Sequence, residues 1–401
     1  MVKEYKTIII GAGAAGLYCS AALSECLVLE KTKRPGTKLL MAGSGQCNVT
    51  HGGSIKDFLG FYGAHGKKIR SALQRHSNVE LCNYLESLGV TLTEREDGKI
   101  FPASMDAHDV LNALLAKCKQ INYEENVIGI MKADDGYEVK TSKNIYVCKN
   151  LIVAAGGSSY PTTGSDGKIL DILRRDLDLG IIEPRPALTP VFVENYPFGE
   201  LSGISFKNAG VAFSGSEGKL KRVKGDLLLT FKNFSGPVII NNSRYLKPGM
   251  EIEINFLGNM NFEELLGKLK KDFPGNNKSL ANYLAEELEL PKRFAKLTAE
   301  HMNLENMKLS QLTGKNMKEI ASFAAAHKFT VSGLGGFKEA MVTAGGVDLN
   351  EVDLKTMEAK RYPSLYFIGE VLDIDGDTGG YNLQFAYSSA MAAAEKINSL
   401  I

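Results

Sequence analysis

Short β-branched runs that end in glycine recur along this chain, and between them the spacing of apolar positions changes twice. Thr7–Ile10 has the continuous apolar character of a buried parallel strand. Ala14–Leu23 is small and apolar, which predicts a helix lying close on a sheet, and Cys26–Leu29 predicts a second strand. Apolar residues at Leu73, Val79, Leu81, Leu85 and Leu88 predict a helix over 69–88, and a further helix is expected over 107–119. The stretch 122–150 alternates in short strands. Leu151–Ala155 is again a buried strand, running into Gly156 and Gly157, with a helix expected over 168–177.

Three prolines, Pro184, Pro186 and Pro190, then mark a crossing. From 191 to 257 the chain reads as short β segments (VFVEN, ISFKNAGVAF, GDLLLTF, PVIIN, MEIEINFL), and from 261 to 327 as helices interrupted at Pro274–Gly275 and Pro291. The strand–glycine style returns near Phe329. Leu365–Ile368 is a strand followed directly by Gly369 and Glu370, and a helix with small residues on one side is expected over 383–396. The pattern predicts an α/β chain: a discontinuous dinucleotide-binding domain over 1–188 and 328–401, an inserted β-rich domain over 189–258, and an inserted helical domain over 259–327.

The first β–turn–α–β unit carries the most specific chemistry. Gly11, Gly13 and Gly16 supply G-x-G-x-x-G between a strand and a helix, and Glu30 closes the next strand. The glycines provide a tight turn, room for a pyrophosphate, and close helix–strand contact. Ala14 and Ala15 open a helix whose N-terminal N–H groups and dipole favour phosphate. Glu30 is placed to accept hydrogen bonds from both ribose hydroxyls, so an ADP-containing cofactor is expected. The loop after Glu30 carries the amide and hydroxyl side chains Ser44, Gln46, Asn48 and Thr50, which suit wrapping a ligand at the carboxyl edge of the sheet. Val127 falls where backbone groups read an adenine edge. Ala155, Gly156 and Gly157 keep side chains away from the same ligand. Gly379–Gly380–Tyr381–Asn382 is expected to open the last helix, with its positive end toward a flavin's N1–C2=O edge. That placement, and the convergence of several glycine segments on one long ligand, favour FAD over NAD.

Composition narrows the class further. Lys and Arg number 47 against 46 Asp and Glu, and the chain is 44% hydrophobic. The balance offers no global field for nucleic acid, and no stripe of interleaved basic and aromatic residues stands out, so no nucleic-acid partner is expected. The basic run Lys219, Lys221, Arg222 and Lys224 reads as a solvated hairpin edge. The six cysteines contain no C-x-x-C pair and the six histidines no ligand-like spacing, so neither a disulfide framework nor a metal site is expected. No apolar run reaches the ~18 residues of a membrane span. A cytoplasmic enzyme acting on a small molecule is the expectation.

GSGQCNVT, GKIFPAS, LIVAAGGSSYPTTGSDG, GDLLLTFKNFSGP, EAMVTAGGVDL and GEVLDIDGDTGGYNLQFAYSSA together resemble the bacterial BaiN-like NAD(P)/FAD-dependent oxidoreductases, in order and across essentially the whole chain. The family includes a bile-acid enone reductase. TAGGV and LYFIGE are more distantly similar to the fumarate reductase and succinate dehydrogenase flavoproteins. The resemblance implies a glutathione-reductase-like, Rossmann-type FAD domain with a β-barrel-like insert and a small helical insert. It also implies non-covalent FAD. Ser44, Gly45, Cys47 and Asn48 would lie on one side of the isoalloxazine and Gly380, Tyr381, Asn382 and Leu383 on the other. Lys31, Lys38, Gly369, Glu370 and Asp373 complete the expected cofactor-binding set. Two residues depart from the family pattern: Gln46 stands where arginine is usual, and Phe385 where tryptophan is usual. The connection Ala22–Cys26 is also short.

The expected reaction is hydride transfer from NAD(P)H through flavin N5 to an activated C=C bond, with Tyr160, Tyr381 or a water as proton donor. Cys47 is expected to pack on the flavin more than to act as a redox thiol. An oxidase or dehydrogenase of a small amine or hydroxy compound is the alternative, as is a flavin-containing binding protein with little turnover.

Overall fold

Lys3–Ile10 lies at the centre of a nine-stranded sheet in the computed structural model, which describes residues 3–214 and 220–399. Leu27–Glu30 and Ile145–Val153 flank it in parallel, and Ile121–Tyr123 and Leu365–Phe367 extend the parallel run on either side. Ile8, Ile9, Leu151 and Ile152 are fully buried, as a strand covered on both faces requires. Register aligns the strand ends: Ile10 pairs with Leu29 and with Val153, and Val153 pairs with Phe367. Gly11, Glu30, Ala154 and Ile368 therefore leave the sheet at one level, along its carboxyl edge.

Two helices pack together beside this edge. Ala14–Ala22 and Tyr381–Asn398 meet through an edge-on contact of Tyr18 with Tyr387, at 5.3 Å between ring centroids. Buried Ala390, Ala393 and Ala394 line the longer helix, which is the small-residue side expected for it. The expected strand alternation is present as an antiparallel hairpin, Val127–Ala133 with Gly136–Thr141, that pairs onto Ile145–Val153.

Several elements differ from expectation for local reasons. The helix expected over 69–88 is two, Arg70–Arg75 and Asn78–Ser87, because Ser77 and Glu80 form a capping box that starts a new helix. The helix expected over 107–119 ends at Leu115. PVIIN is a helical turn, Pro237–Ile240: Gly236 stands at φ +87° before it, and proline at its first position is preorganised for a helix.

Two compact units divide the chain, one of Met1–Ala187 with Phe337–Ile401 and one of Leu188–Gly336. The return to the first unit comes later than 328, because His327–Leu334 is a strand of the inserted barrel. That barrel closes through Val191–Val193, Phe234–Ser235, Leu220–Leu229, Ser205–Ser214, Glu251–Asn255 and His327–Leu334. Four longer helices follow its fifth strand: Phe262–Asp272, Leu280–Glu286, Lys292–His301 and Gly314–Ala325. Barrel and helices share one hydrophobic core, in which Phe206 and Phe256 of the barrel side meet Phe294 of the helices at 4.9 and 4.8 Å. A single core is why the insert behaves as one unit instead of two. Lys221, Arg222 and Lys224 lie on the barrel strand Leu220–Leu229, while Lys219 lies outside the described residues. Among the described residues no helix is long and apolar enough to cross a membrane.

Candidate functional site

The three fingerprint glycines are separated by what surrounds them. A Cβ on Gly16 would stand 2.0 Å from the carbonyl oxygen of Gly11, and one on Gly11 would stand 2.6 Å from that of Ala154. These two glycines let the helix and two strands touch. Around Gly13 no atom lies within 4 Å of the corresponding position. The second glycine thus opens onto free space beside the N-terminus of Ala14–Ala22, where a pyrophosphate needs it.

Glu30 is buried at the end of its strand. Its Oε2 accepts from the amide of Ala12 and its Oε1 from the amide and hydroxyl of Thr32, each at 2.8 Å. The carboxylate is held rigidly against the glycine turn and keeps acceptor capacity for further donors. Its carbonyl accepts from Glu125 N at 2.9 Å, which brings buried Val127 to the same end. Lys31 pairs with Asp166 at 2.6 Å, so its charge is already matched across the loop that follows Gly157. Gly156, at φ +74°, leaves no room for a Cβ beside Ser165 Oγ.

Thr343 ties the glycine segments together. Its hydroxyl accepts from the amides of Ser158 and Ser159 at 2.8 and 3.0 Å, and its own amide donates to Glu370 Oε1 at 2.8 Å. The other oxygen of Glu370 takes Lys38 at 2.6 Å. Gly369 N donates to Ser389 Oγ on the last helix. Asp373 accepts from Gly345 N at 2.9 Å and faces His65 Nε2 at 3.6 Å.

At the far end, the loop that carries Ser44 and Cys47 meets the last helix. Gly43, Ser44, Gly45 and Cys47 all have positive φ. For Ser44 and Cys47 this is a strained conformation of the kind that collects at ligand sites. Buried Asn48 bridges the two segments: its amide donates to Thr50 O at 2.7 Å and Ile100 O at 3.1 Å and accepts from Gly380 N at 3.0 Å. The amides of Tyr381 and Leu383 have no acceptor among the described residues, because the first intrahelical bond is made by Gln384 N to Gly380 O. Asn382 turns its side chain back onto Gly376, donating to its carbonyl and accepting from its amide, so it positions the loop before the helix.

The three candidate reactive side chains are placed differently. Cys47 is fully buried, and burial pushes its thiol up to about 12, so it is not a thiolate near neutral pH. Iodoacetamide at pH 8 is expected to leave Cys47 unlabelled in the native protein, as peptide mass mapping would show; rapid labelling would mean an activated thiol. The Tyr381 ring stacks with Phe61 at 4.2 Å and with His51 at 5.5 Å. Burial first, and the nearby Asp377 second, hold its phenol well above the ordinary tyrosine range, so it keeps its proton. Tyr160 stands apart from both, in a left-handed conformation before the turn Pro161–Thr163, with its amide donating to Phe337 O.

Sequence reasoning missed His51, Phe61 and Thr343. His51 Nδ1 lies 3.0 Å from Gly52 O. A carbonyl only accepts, so this nitrogen carries the proton in the neutral ring and Nε2 is the basic one. The one signal available for His51 was its position three residues after Asn48.

The residues present fit FAD. Free space at Gly13, a fixed carboxylate at Glu30 and unspent helix amides at Tyr381 and Leu383 lie in one compact unit. Comparison with known proteins agrees. Residues 5–396 match the family described as the HI0933-like protein Rossmann domain. A ribosomal RNA dihydrouridine synthase of Haemophilus influenzae is 33% identical over 413 residues, covering 99% of this chain and 100% of its own. A 3-dehydro-bile acid delta(4,6)-reductase of Clostridium scindens is 26% identical, covering 97% and 98%. Among solved structures, a 3-ketosteroid-delta4-(5alpha)-dehydrogenase from Rhodococcus jostii RHA1 aligns with a TM-score of 0.50 at 14% identity, over 98% of this chain and 97% of that one. The chain therefore belongs to the HI0933-like Rossmann-domain family, and its fold is that of the FAD-dependent oxidoreductases.

Proposed function

We propose that this protein reduces a carbonyl-conjugated C=C bond, using NAD(P)H as the electron source and FAD as the relay. The observation that carries the reading is the last helix: eighteen residues long, with no acidic residue in its first turn and with the Tyr381 and Leu383 amides unspent. Bound FAD supplies the hydride relay and gains negative charge at its N1–C2=O edge on reduction, a charge that a helix N-terminus stabilises.

The chain's own residues supply the rest. Glu30 and the open Gly13 turn bind the adenosine half. Asn48 holds the Ser44–Asn48 loop to Gly380 and so fixes both walls of the reacting end. Tyr381, which keeps its proton, is the side chain there able to donate one to the substrate, whereas neutral His51, protonated on Nδ1, offers only an acceptor at Nε2. The names of the relatives support the choice of bond. Making dihydrouridine saturates the 5,6 bond of uracil, and delta(4,6) reduction saturates ring bonds conjugated to a 3-keto group. Both are C=C bonds activated by a carbonyl. Six free cysteines suit a reducing compartment such as the cytoplasm.

Anaerobic stopped-flow mixing tests the reading. NADH or NADPH is expected to bleach the flavin absorbance, and a cyclic enone or a uridine-containing RNA to restore it. Reduction by a small amine or hydroxy acid, with no response to either nicotinamide, would instead make the protein a dehydrogenase or oxidase.

A further inference from the structure

Between the strand Ile145–Val153 and the helix Lys168–Leu177 the chain forms a loop that is closed at its base. A Cβ on Gly167 would stand 2.3 Å from Ser158 Oγ, so the two ends of 158–167 meet. Compact loops of this form, with their ends together, often carry function. The base is held from within the fold. Thr343 Oγ accepts from the amides of Ser158 and Ser159, and Ser165 Oγ donates to Gly157 O at 3.0 Å.

The tip reaches a different strand. A Cβ on Gly164 would stand 3.0 Å from Thr32 Cγ2 and 3.9 Å from Glu30 Oε1. Asp166 pairs with Lys31 at 2.6 Å, and at longer range with exposed Lys168 at 3.7 Å. The loop thus leaves Ile145–Val153 and touches the residues at the end of Leu27–Glu30. Lys3–Ile10 lies between those two strands and pairs with both. With strands about 4.8 Å apart, the loop bridges roughly 10 Å of the carboxyl edge. The strand it bridges ends in the glycine turn, with its free space at Gly13. A pyrophosphate and ribose bound between Gly13 and Glu30 lie within this span.

The tip is built to move as a piece. The amides of Thr163, Gly164 and Asp166 donate inside the loop, to Tyr160 O, Pro161 O and Gly164 O. Its fastening to the Glu30 strand is the Lys31–Asp166 pair, whose side chains are 28% and 24% exposed, so solvent and salt reach it. We propose that 158–167 is a strap that retains the adenosine half of FAD, and that Lys31–Asp166 is its latch, setting how fast the cofactor enters and leaves. Lys31 then acts through the loop and not on a phosphate. The latch joins two protein side chains and uses no cofactor atom, so weakening it speeds entry and exit alike and changes affinity little. This rests on the placement of the ADP half at Gly13 and Glu30, and not on the identity of the substrate.

Stopped-flow flavin fluorescence tests it by following FAD uptake by the apoprotein and FAD release from the loaded protein on dilution. Asp166→Asn keeps an oxygen for Lys168 N, which donates to Asp166 Oδ1 at 3.3 Å, and removes the charge. It is expected to speed uptake and release about 2- to 5-fold, the range of a partly exposed ion pair. Lys31→Met is expected to do the same, and the double variant to be no faster than either single, because both remove one interaction. Raising salt is expected to speed wild-type release more than that of Asp166→Asn. Melting temperature reports whether each variant is folded. Wild-type rates in both single variants would overturn the proposal. So would faster release without faster uptake, the mark of residues that only support the bound state. Effects that multiply in the double variant would place Lys31 on a phosphate and overturn it too. A wild-type protein that takes up no FAD would refute the placement and the strap together. No nicotinamide or substrate enters these measurements, so they stand apart from the reading that a C=C bond is reduced.

Discussion

Gly16→Ala is expected to purify without flavin and to melt well below the wild-type protein. The added methyl would lie 2.0 Å from the carbonyl oxygen of Gly11 and 3.4 Å from Ala154 Cβ. Neither neighbour has room to yield, since Gly11 N is bonded to Leu29 O and Ala154 N to Ile10 O, both at 2.8 Å. The helix must therefore lift from the sheet. Overpacking of this kind costs typically ~1–3 kcal/mol, and a clash with backbone belongs at the upper end or beyond. Gly13→Ala is the informative partner. Gly13 has φ −80°, which alanine adopts freely, and no chain atom lies near the new methyl. Its melting temperature should be close to wild type, while FAD affinity falls because the methyl occupies the space a pyrophosphate needs. At ~1–3 kcal/mol for overpacking that contact, the loss is roughly 5- to 150-fold. Thermal melts with FAD titration of the apoprotein separate the two effects. Wild-type FAD affinity in Gly13→Ala would refute the pyrophosphate placement.

The contrast between these glycines shows which parts of the site are legible in a sequence. Gly11, Gly13, Gly16 and Glu30 lie within one β–α–β unit, so spacing alone encodes their geometry. The strands Thr7–Ile10 and Leu151–Val153 are legible for the same reason, because burial on both faces demands an unbroken apolar run. The network that joins the segments is not local. Thr343 reaches Ser158 across 185 positions, and Lys38 reaches Glu370 across 332. No periodicity reports such pairs. Lys38 and Glu370 were expected at the cofactor on resemblance, and the structure pairs them with each other. Phe61 and His51 escaped notice because each looks ordinary alone; their significance comes from stacking on Tyr381. The insert shows the opposite limit. Its strands and helices are readable one by one, but a shared phenylalanine core makes them one unit, and only packing reveals that.

Asn48→Ala is expected to retain flavin but to destabilise the fold by about 2–4 kcal/mol and to slow bleaching by nicotinamide at least tenfold. The buried amide spans loop and helix, and its removal strands Gly380 N and Thr50 O, each at the ~1–3 kcal/mol cost of an unsatisfied buried group. Ile100 O loses less, because it still accepts from Val49 N at 2.9 Å. Gly380 cannot move in to compensate: a Cβ on it would already stand 2.6 Å from the Thr50 backbone, so the segments touch. Asn48→Asp identifies which bonds matter. A carboxylate still accepts from Gly380 N, but it faces the carbonyl oxygens of Thr50 and Ile100, which only a donor tolerates. Burial and these two carbonyls raise the folded-state pKa of the new carboxyl above the ordinary ~3.9. The protonated form is then the one that suits the fold, and the native state binds the proton more tightly than the unfolded chain. Stability of Asn48→Asp should accordingly fall as pH rises above about 4, level off once the folded-state pKa is passed, and recover on acidification relative to Asn48→Ala. Urea unfolding of the two variants between pH 4 and 8 measures this. A pH-independent difference would mean that the amide donors carry no part of the loop–helix junction, and that Gly380 alone holds the reacting end together.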